Sequence, residues 1–353
     1  MLAVAFLGIG LRQAGRDAPT VDEGVDVSSG VTSLVRHDLR LVPEHPALPK
    51  AVAALPALLA RPVVPDTPAY RKGDWFDYSD DFISANEAAG RLRPMLVWAR
   101  AAVLAEAVGC AALLYLLGCR FFGPDGGAVA AAAWLTTPYV VGFGHFAMID
   151  VPFTLAVLAT SVVLARWRDG PTLRRAAAVG LVLGAALASR HTSLVLVVVV
   201  VGVMAHARRR LPREAAVHIA LAVTTSVLAV WVVYRGLAPT GPSGTVAVRL
   251  DDIVASSTGA SVVSRLVTAL PFPAEWRAGF AYLDLTSVAR PSSLLGRSWD
   301  GGRWWYFPAS ALVKLPLTLV AAIAVNGELG DVGGPGQVIT GHHEGARVAL
   351  VGG

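Results

Sequence analysis

The chain has 353 residues, 54% of them hydrophobic and only 16% charged, with 30 Lys and Arg against 25 Asp and Glu. A soluble domain carries about 25% charge, so this composition, with a mean hydropathy of +0.57 and the apolar residues gathered in blocks, describes a polytopic membrane protein. The net charge of +5 does not call for a nucleic-acid partner, because the excess Arg falls in short loops between apolar segments, where the positive-inside bias puts it.

In chain order, Leu2 to Leu11 is the first apolar stretch, about half of the ~20 residues a span needs. It lacks a basic leader and a small-residue cleavage site, which argues against a signal peptide; we read it as the outer half of a first transmembrane helix whose beginning is missing. A long polar segment, 17–93, follows and is too long for a plain connector. Within it, Glu23 to His37 and His45 to Ala60 are expected as interfacial amphipathic helices, the second with Pro46 and Pro49 in its first turn. Residues 66–82, with Trp75, Phe76, Tyr78 and clustered Asp, are expected as an interfacial aromatic and acidic loop. Further spans are predicted at 94–118, 125–144, 150–167, 174–189, 192–207, 215–236 and 304–325. The fold class is therefore all-α, a membrane helical bundle of about eight spans, with a second long outer segment at 237–303. The Gly-rich stretch 326–353 has no helical period and is expected as a disordered tail.

Cys110 and Cys119 fall on opposite faces of one predicted helix, so no disulfide is expected between them. No Cys/His spacing resembles a zinc site. The acid-rich outer loop permits a divalent ion but has no ligand spacing that requires one, so no cofactor is called for.

Arg placement sets the orientation. Arg120, the group Arg166, Arg168, Arg174 and Arg175, and the group Arg208, Arg209, Arg210 and Arg213 lie in alternate connections, which should be cytoplasmic. The 17–93 segment, the His145–Asp150 turn, the Arg190–His191 turn and 237–303 then all face outside, in a multi-pass cell-membrane protein. The polar candidates for chemistry thus share one face. Asp22 and Glu23 come first, and ionised carboxylates beside hydrocarbon must be solvated, paired or used. Helix N-terminal capping is their plainer explanation. Arg190 stands in an outer turn, where a lipid headgroup would also hold it. Lys314 lies about ten residues into the last span, a functional position by default unless it snorkels to the interface.

Five blocks in order carry a resemblance: DAPTVDEG, PEHPALPK, GHFAMIDVPFTLA, GAALASRHTSLVL and LLGRSWDGGRWWYFPASALVKLPL. Across roughly residues 15–325 they resemble the phospholipid-carrier-dependent glycosyltransferases of the protein mannosyltransferase-like branch of the GT-C membrane superfamily. The resemblance implies a larger bundle than the spans counted here, with C-terminal helices that this sequence does not supply. It also implies transfer, with inversion, of a sugar (most commonly mannose) from a polyprenyl-phosphate carrier to an acceptor hydroxyl on protein, glycan or lipid. Asp22 matches the first acid of the family's DE motif and is the implied general base, with Glu23 orienting it or the acceptor. Arg190, Lys314, His45 and Lys50 are the implied contacts of the donor phosphate, and Asp150 and Glu44 the implied substrate-orienting acids. The PEHPALPK block departs from the family's HPPL-like pattern at Ala47 and Pro49, where an ordinary helix start is the alternative. Two other readings stand beside transfer. One is an inactive, truncated family remnant; the other is a transporter or flippase, which calls for charges spread through the midplane rather than gathered on one side.

Overall fold

The computed structural model describes residues 1–209, 211–240, 266, 267, 269–286 and 291–314. The predicted tail at 326–353, Arg210 and much of the 237–303 segment lie outside the described residues. The chain divides into two compact units, residues 1–290 and 291–353.

Among its described residues, the regular elements of the first unit are all helices. Helix α1 is Leu2–Ala14, α2 Val21–Arg36, α3 Ala47–Ala57, α4 Pro68–Lys72 and α5 Trp75–Ala88. Then come α6 Leu92–Thr136, α7 Pro138–Phe143, α8 Asp150–Asp169, α9 Leu173–Leu187, α10 Ser193–Ala207, α11 Pro212–Leu237 and α12 Ala274–Thr286. Among the described residues, three helices are long and apolar enough to cross a membrane: α6, α8 and α11. Their exposed faces carry Trp98, Leu116, Leu228 and Val232, large apolar side chains that a bilayer, not water, would solvate. The all-α membrane class read from the composition holds.

Several boundaries differ from the sequence reading. The spans expected at 94–118 and 125–144 form one helical hairpin, because α6 doubles back at Gly123, whose φ of 77° a side chain rarely adopts. The two arms pack backbone to backbone: a Cβ added at Gly118 would meet the Gly127 Cα at 2.7 Å. Farther along, the Trp134 indole Nε1 donates to the Ala107 carbonyl at 2.9 Å. The second arm stops at Thr136, and Pro138 restarts the chain as the short α7. α9 and α10 have 15 residues each, short of a full span.

The helices expected at 23–37 and 45–60 form as α2 and as α3, the latter extended by a 3₁₀ turn at Leu58–Ala60, but α2 is buried on every face from Glu23 to Ser33 rather than lying amphipathic at an interface. The stretch 66–82, expected as a loop, is instead largely helical. Thr67 caps α4 by accepting from the Tyr70 amide, and Asp74 caps α5 by accepting from the Asp77 amide. These two helices supply Tyr70, Tyr78 and Phe82 to a core with Val27 and Val31 of α2, Ala54 of α3 and Ala99 and Val103 of α6. A second core, built on Leu183, Leu187, Ala222, Val230 and Trp276, joins α9, α11 and α12.

In the second unit, β1 (Pro291–Leu294) and β2 (Arg297–Asp300) pair antiparallel, with Leu294 opposite Arg297. Leu295 and Gly296 make the turn with φ of 51° and 77°, the sign that a tight hairpin requires at both positions. Helix α13, Tyr306–Lys314, follows.

Candidate active site

α2 starts at Thr20, whose hydroxyl accepts from the Glu23 amide at 3.2 Å. The cap puts Asp22 and Glu23 in the first turn, where the helix dipole favours anions, and aims them at different surroundings. Glu23 is wholly buried and Arg100 of α6 is 1% exposed. The Arg100 Nε donates to Glu23 Oε1 at 2.7 Å and its Nη2 to Oε2 at 2.6 Å. The Ala147 amide donates to Oε1 at 2.9 Å. The rest of the guanidinium is also engaged: Nη1 donates to the carbonyls of Ala14 and Asp17 at 2.7 and 2.9 Å, and Nη2 to that of Ala18 at 3.3 Å. A guanidinium has five N–H donors, and each has an acceptor here. The Glu23–Arg100 pair is thus a fixed strut that joins α1, α2, α6 and the turn before α8.

Asp22 instead faces a cavity of about 110 Å³, whose lining includes Asp22, Asp26, Glu44, His45, Asp150 and Arg190, with Trp75, Phe76 and Met148. Five of the residues singled out from sequence therefore meet in one space, although they come from α2, the loop before α3, the start of α8 and the turn after α9. Arg190 Nη1 donates to Asp150 Oδ1 at 2.7 Å, and both side chains are partly exposed. The Arg190 guanidinium also lies 5.7 Å from the centre of the Phe153 ring.

The loop before α3 is held from two sides. The Lys50 Nζ donates to the carbonyls of Val42 and His45 at 3.0 and 2.8 Å, pinning a turn in which Val42 has a φ of 52°, an outlier for a β-branched residue. Lys50 is buried, which pulls its amine down to about 8, and it lines an adjoining void of about 20 Å³ with His45, Ser29 and Ser33. Lys50 thus holds the loop from behind rather than lining the Asp22 cavity. Burial first, then Lys50 and Arg190, push the His45 imidazole down to about 3, so it lines the cavity as a neutral ring at pH 7, not as a cation.

His191 ties the third side. Its Nδ1 lies 3.1 Å from the Glu44 carbonyl and its Nε2 3.0 Å from that of Trp276. Only an imidazolium could donate to both. Burial nonetheless pulls the ring down to about 4, and we read it as neutral. Ionising a buried group that has no carboxylate against it costs more than one additional hydrogen bond returns. The Trp276 Nε1 donates to the Leu187 carbonyl at 2.8 Å, locking α12 to the same turn.

Three participants lay outside the sequence reading. Asp26, one helical turn after Asp22, was within reach of an i, i+4 reading of α2. Arg100 is a cation inside the span at 94–118 for which Glu106 is the nearby carboxylate in sequence, but it pairs instead with Glu23, 77 residues away. Trp276 stands in the second long outer segment with no motif to single it out. Lys314 ends α13 in the second unit, and its side chain lies outside the described residues. Among the described residues, no three His, Cys, Asp or Glu are grouped to hold a metal ion.

Residues 95–234 match the family model described as dolichyl-phosphate-mannose-protein mannosyltransferase. No curated protein and no solved structure matches the chain. The matched stretch contains Arg100, Asp150 and Arg190 and begins after Asp22, the loop before α3 and Lys50, so only the cavity wall that carries Met148, Ile149, Asp150 and Arg190 lies within it. From the hairpin of α6 to the end of α11 this chain is similar to the dolichyl-phosphate-mannose-protein mannosyltransferases, the glycosyltransferase branch to which the order of its motifs also points.

Proposed function

We propose that the protein is a membrane-embedded inverting glycosyltransferase that moves a sugar, mannose in the first instance, from a polyprenyl-phosphate carrier to an acceptor hydroxyl on the outer side of the membrane. The observation that carries this reading is the shared cavity, in which Asp22 of α2 faces the same space as the Arg190–Asp150 pair. A hydroxyl is a weak nucleophile, so a carboxylate in hydrogen-bonding reach takes its proton as attack proceeds. The acceptor oxygen forms the new bond to the anomeric carbon. The bond from that carbon to the phosphate oxygen breaks on the opposite face, and its electron pair leaves with the lipid phosphate. Arg190 is the cation for the developing phosphate charge, with Asp150 holding its guanidinium until the donor arrives. Neutral His45 and Glu44 orient hydroxyls at the cavity wall.

The test is transfer of radiolabelled mannose from polyprenyl-phosphate mannose in membranes that contain the protein. Asp22→Asn should lower transfer by about 10²–10⁴-fold with the protein still in the membrane. Undiminished transfer by this variant would remove the base assignment.

A further inference from the structure

The cavity has a second carboxyl on the wall that carries Asp22, and the transfer reaction alone does not account for it. Asp26 follows Asp22 by one turn of α2, a spacing that stacks two side chains on one helix face with Cβ atoms about 5–6 Å apart. Both residues line the same cavity, which at about 110 Å³ has room for water between them. Asp26 is only 6% exposed. Among the described residues no hydrogen bond holds its carboxyl, and the opposite charge that acts on it most strongly is Lys50 of α3, whose Nζ already serves two backbone carbonyls. Other charged or titratable groups also face it. They are Asp150 at the start of α8, Arg190 in the turn after α9, and Glu44 and His45 in the loop before α3. A buried carboxylate without donors is costly, so such a group binds a proton more tightly than an exposed carboxyl does and can still give it up.

Each transfer would leave one proton on Asp22, and the base is not ready again until that proton is gone. We propose that Asp26 is the proton-holding partner of Asp22, a positioning residue that receives the proton after each transfer through the cavity between them. The inference rests on the transferase reading above. The steps balance: the acceptor O–H bond breaks and an Asp22 O–H bond forms, then the Asp22 O–H breaks as the Asp26 O–H forms. Asp26 finally releases one proton to water for each sugar moved. Its exit follows the polar edge of α2, where Ser29 and Ser33 line the adjoining void beside Lys50. The affinity suits the task, since burial, opposed by Lys50 and reinforced by Asp22 and Asp150, lifts the Asp26 carboxyl to about 7.

The experiment compares wild type, Asp26→Asn and Asp26→Glu by mannose transfer across pH, with infrared titration of the same purified proteins and of Asp22→Asn. The expected result is that Asp26→Asn lowers kcat about tenfold or more with donor KM little changed and loses an inflection near pH 7, while Asp26→Glu restores both. In the infrared, a protonated-carboxyl band should titrate near pH 7 in wild type and Asp22→Asn and be missing from Asp26→Asn. An unchanged kcat and pH profile in Asp26→Asn would overturn the proposal, as would a raised KM at constant kcat, which marks a substrate contact. Should Asp26→Asn fail to fold, the band in wild type and Asp22→Asn still decides, and its absence sinks the proton-holding role. Should wild type transfer nothing while the band titrates, the transferase reading is what fails, and Asp26 still holds its proton.

Discussion

At the scale of single residues, Asp22 and Glu23 show that adjacent acids in a motif can meet opposite surroundings. Asp22 is left facing a cavity, whereas Glu23 is consumed by a guanidinium that has no donor to spare. Removing one member of such a buried pair leaves the other as an uncompensated charge, at a cost of about 3–5 kcal/mol. Glu23→Gln and Arg100→Met should each lower the thermal unfolding midpoint of the detergent-solubilised protein. The double replacement Glu23→Leu with Arg100→Met should recover much of that loss, since it leaves no charge behind. Arg100→Lys should not rescue, because an ammonium cannot reach acceptors spread over Ala14, Asp17, Ala18 and both Glu23 oxygens.

At the scale of elements, α9 and α11 illustrate how the bundle closes. Gly180 and Gly184 are four residues apart on α9, and a Cβ at either would run into Ala222, Thr225, Ser226 or Ala229 of α11. Small residues at this spacing let two helices approach at backbone distance in a bilayer, where apolar bulk offers no advantage over lipid. Gly184→Leu should separate the pair and lower the unfolding midpoint, whereas Gly202→Leu on α10, with open space around it, should leave it unchanged. The helical periods of α2, α3, α8 and α11 were legible in the sequence because their apolar residues repeat. Helices α4 and α5 were not, because Pro65, Pro68 and Gly73 punctuate a stretch rich in Asp, and the caps at Thr67 and Asp74 were masked by that loop-like composition. The candidate site was legible where motif blocks carry it, in that Asp22, Glu44, His45, Asp150 and Arg190 line one cavity. Asp26 and Arg100 stand outside those signals: one depends on which face of α2 turns inward, the other on a partner across a fold not yet known.

At the scale of the whole molecule, two ends can be told apart. At one, Arg120 pairs with Asp169, and Arg175 donates to the carbonyls of Arg166 and Gly170, which gathers the basic connections together. At the other lie Asp22, Asp150, Arg190 and His191. The two ends are separated by the 20 residues of α8, about 30 Å of helix and so about the thickness of the hydrocarbon core. In a version without native cysteines, Asp77→Cys should react with a membrane-impermeant thiol reagent applied outside intact cells. Leu211→Cys should react only after permeabilisation, and the reverse pattern would invert the orientation. Acid should weaken the end that holds His191. The His191 ring has a folded-state value of about 4 against about 6.5 when unfolded, so the unfolded chain binds more protons between these limits. Stability then falls as pH drops from about 6.5 towards 4, and an unfolding midpoint followed across that range should decline less steeply in His191→Gln.

The saturated guanidinium also bears on how the chain is made. Ala14, Asp17, Ala18 and Glu23, which together accept every Arg100 donor, all precede Arg100 in the sequence, and synthesis delivers the N-terminal part first. When α6 leaves the ribosome, the cation it carries finds its complete set of acceptors already translated, and nothing later in the chain is required to neutralise it. A segment that would otherwise be penalised for bringing a bare charge into the bilayer can settle against α1 and α2 at once. Biogenesis can therefore begin with a self-sufficient N-terminal nucleus, onto which α8 to α11 are added in turn.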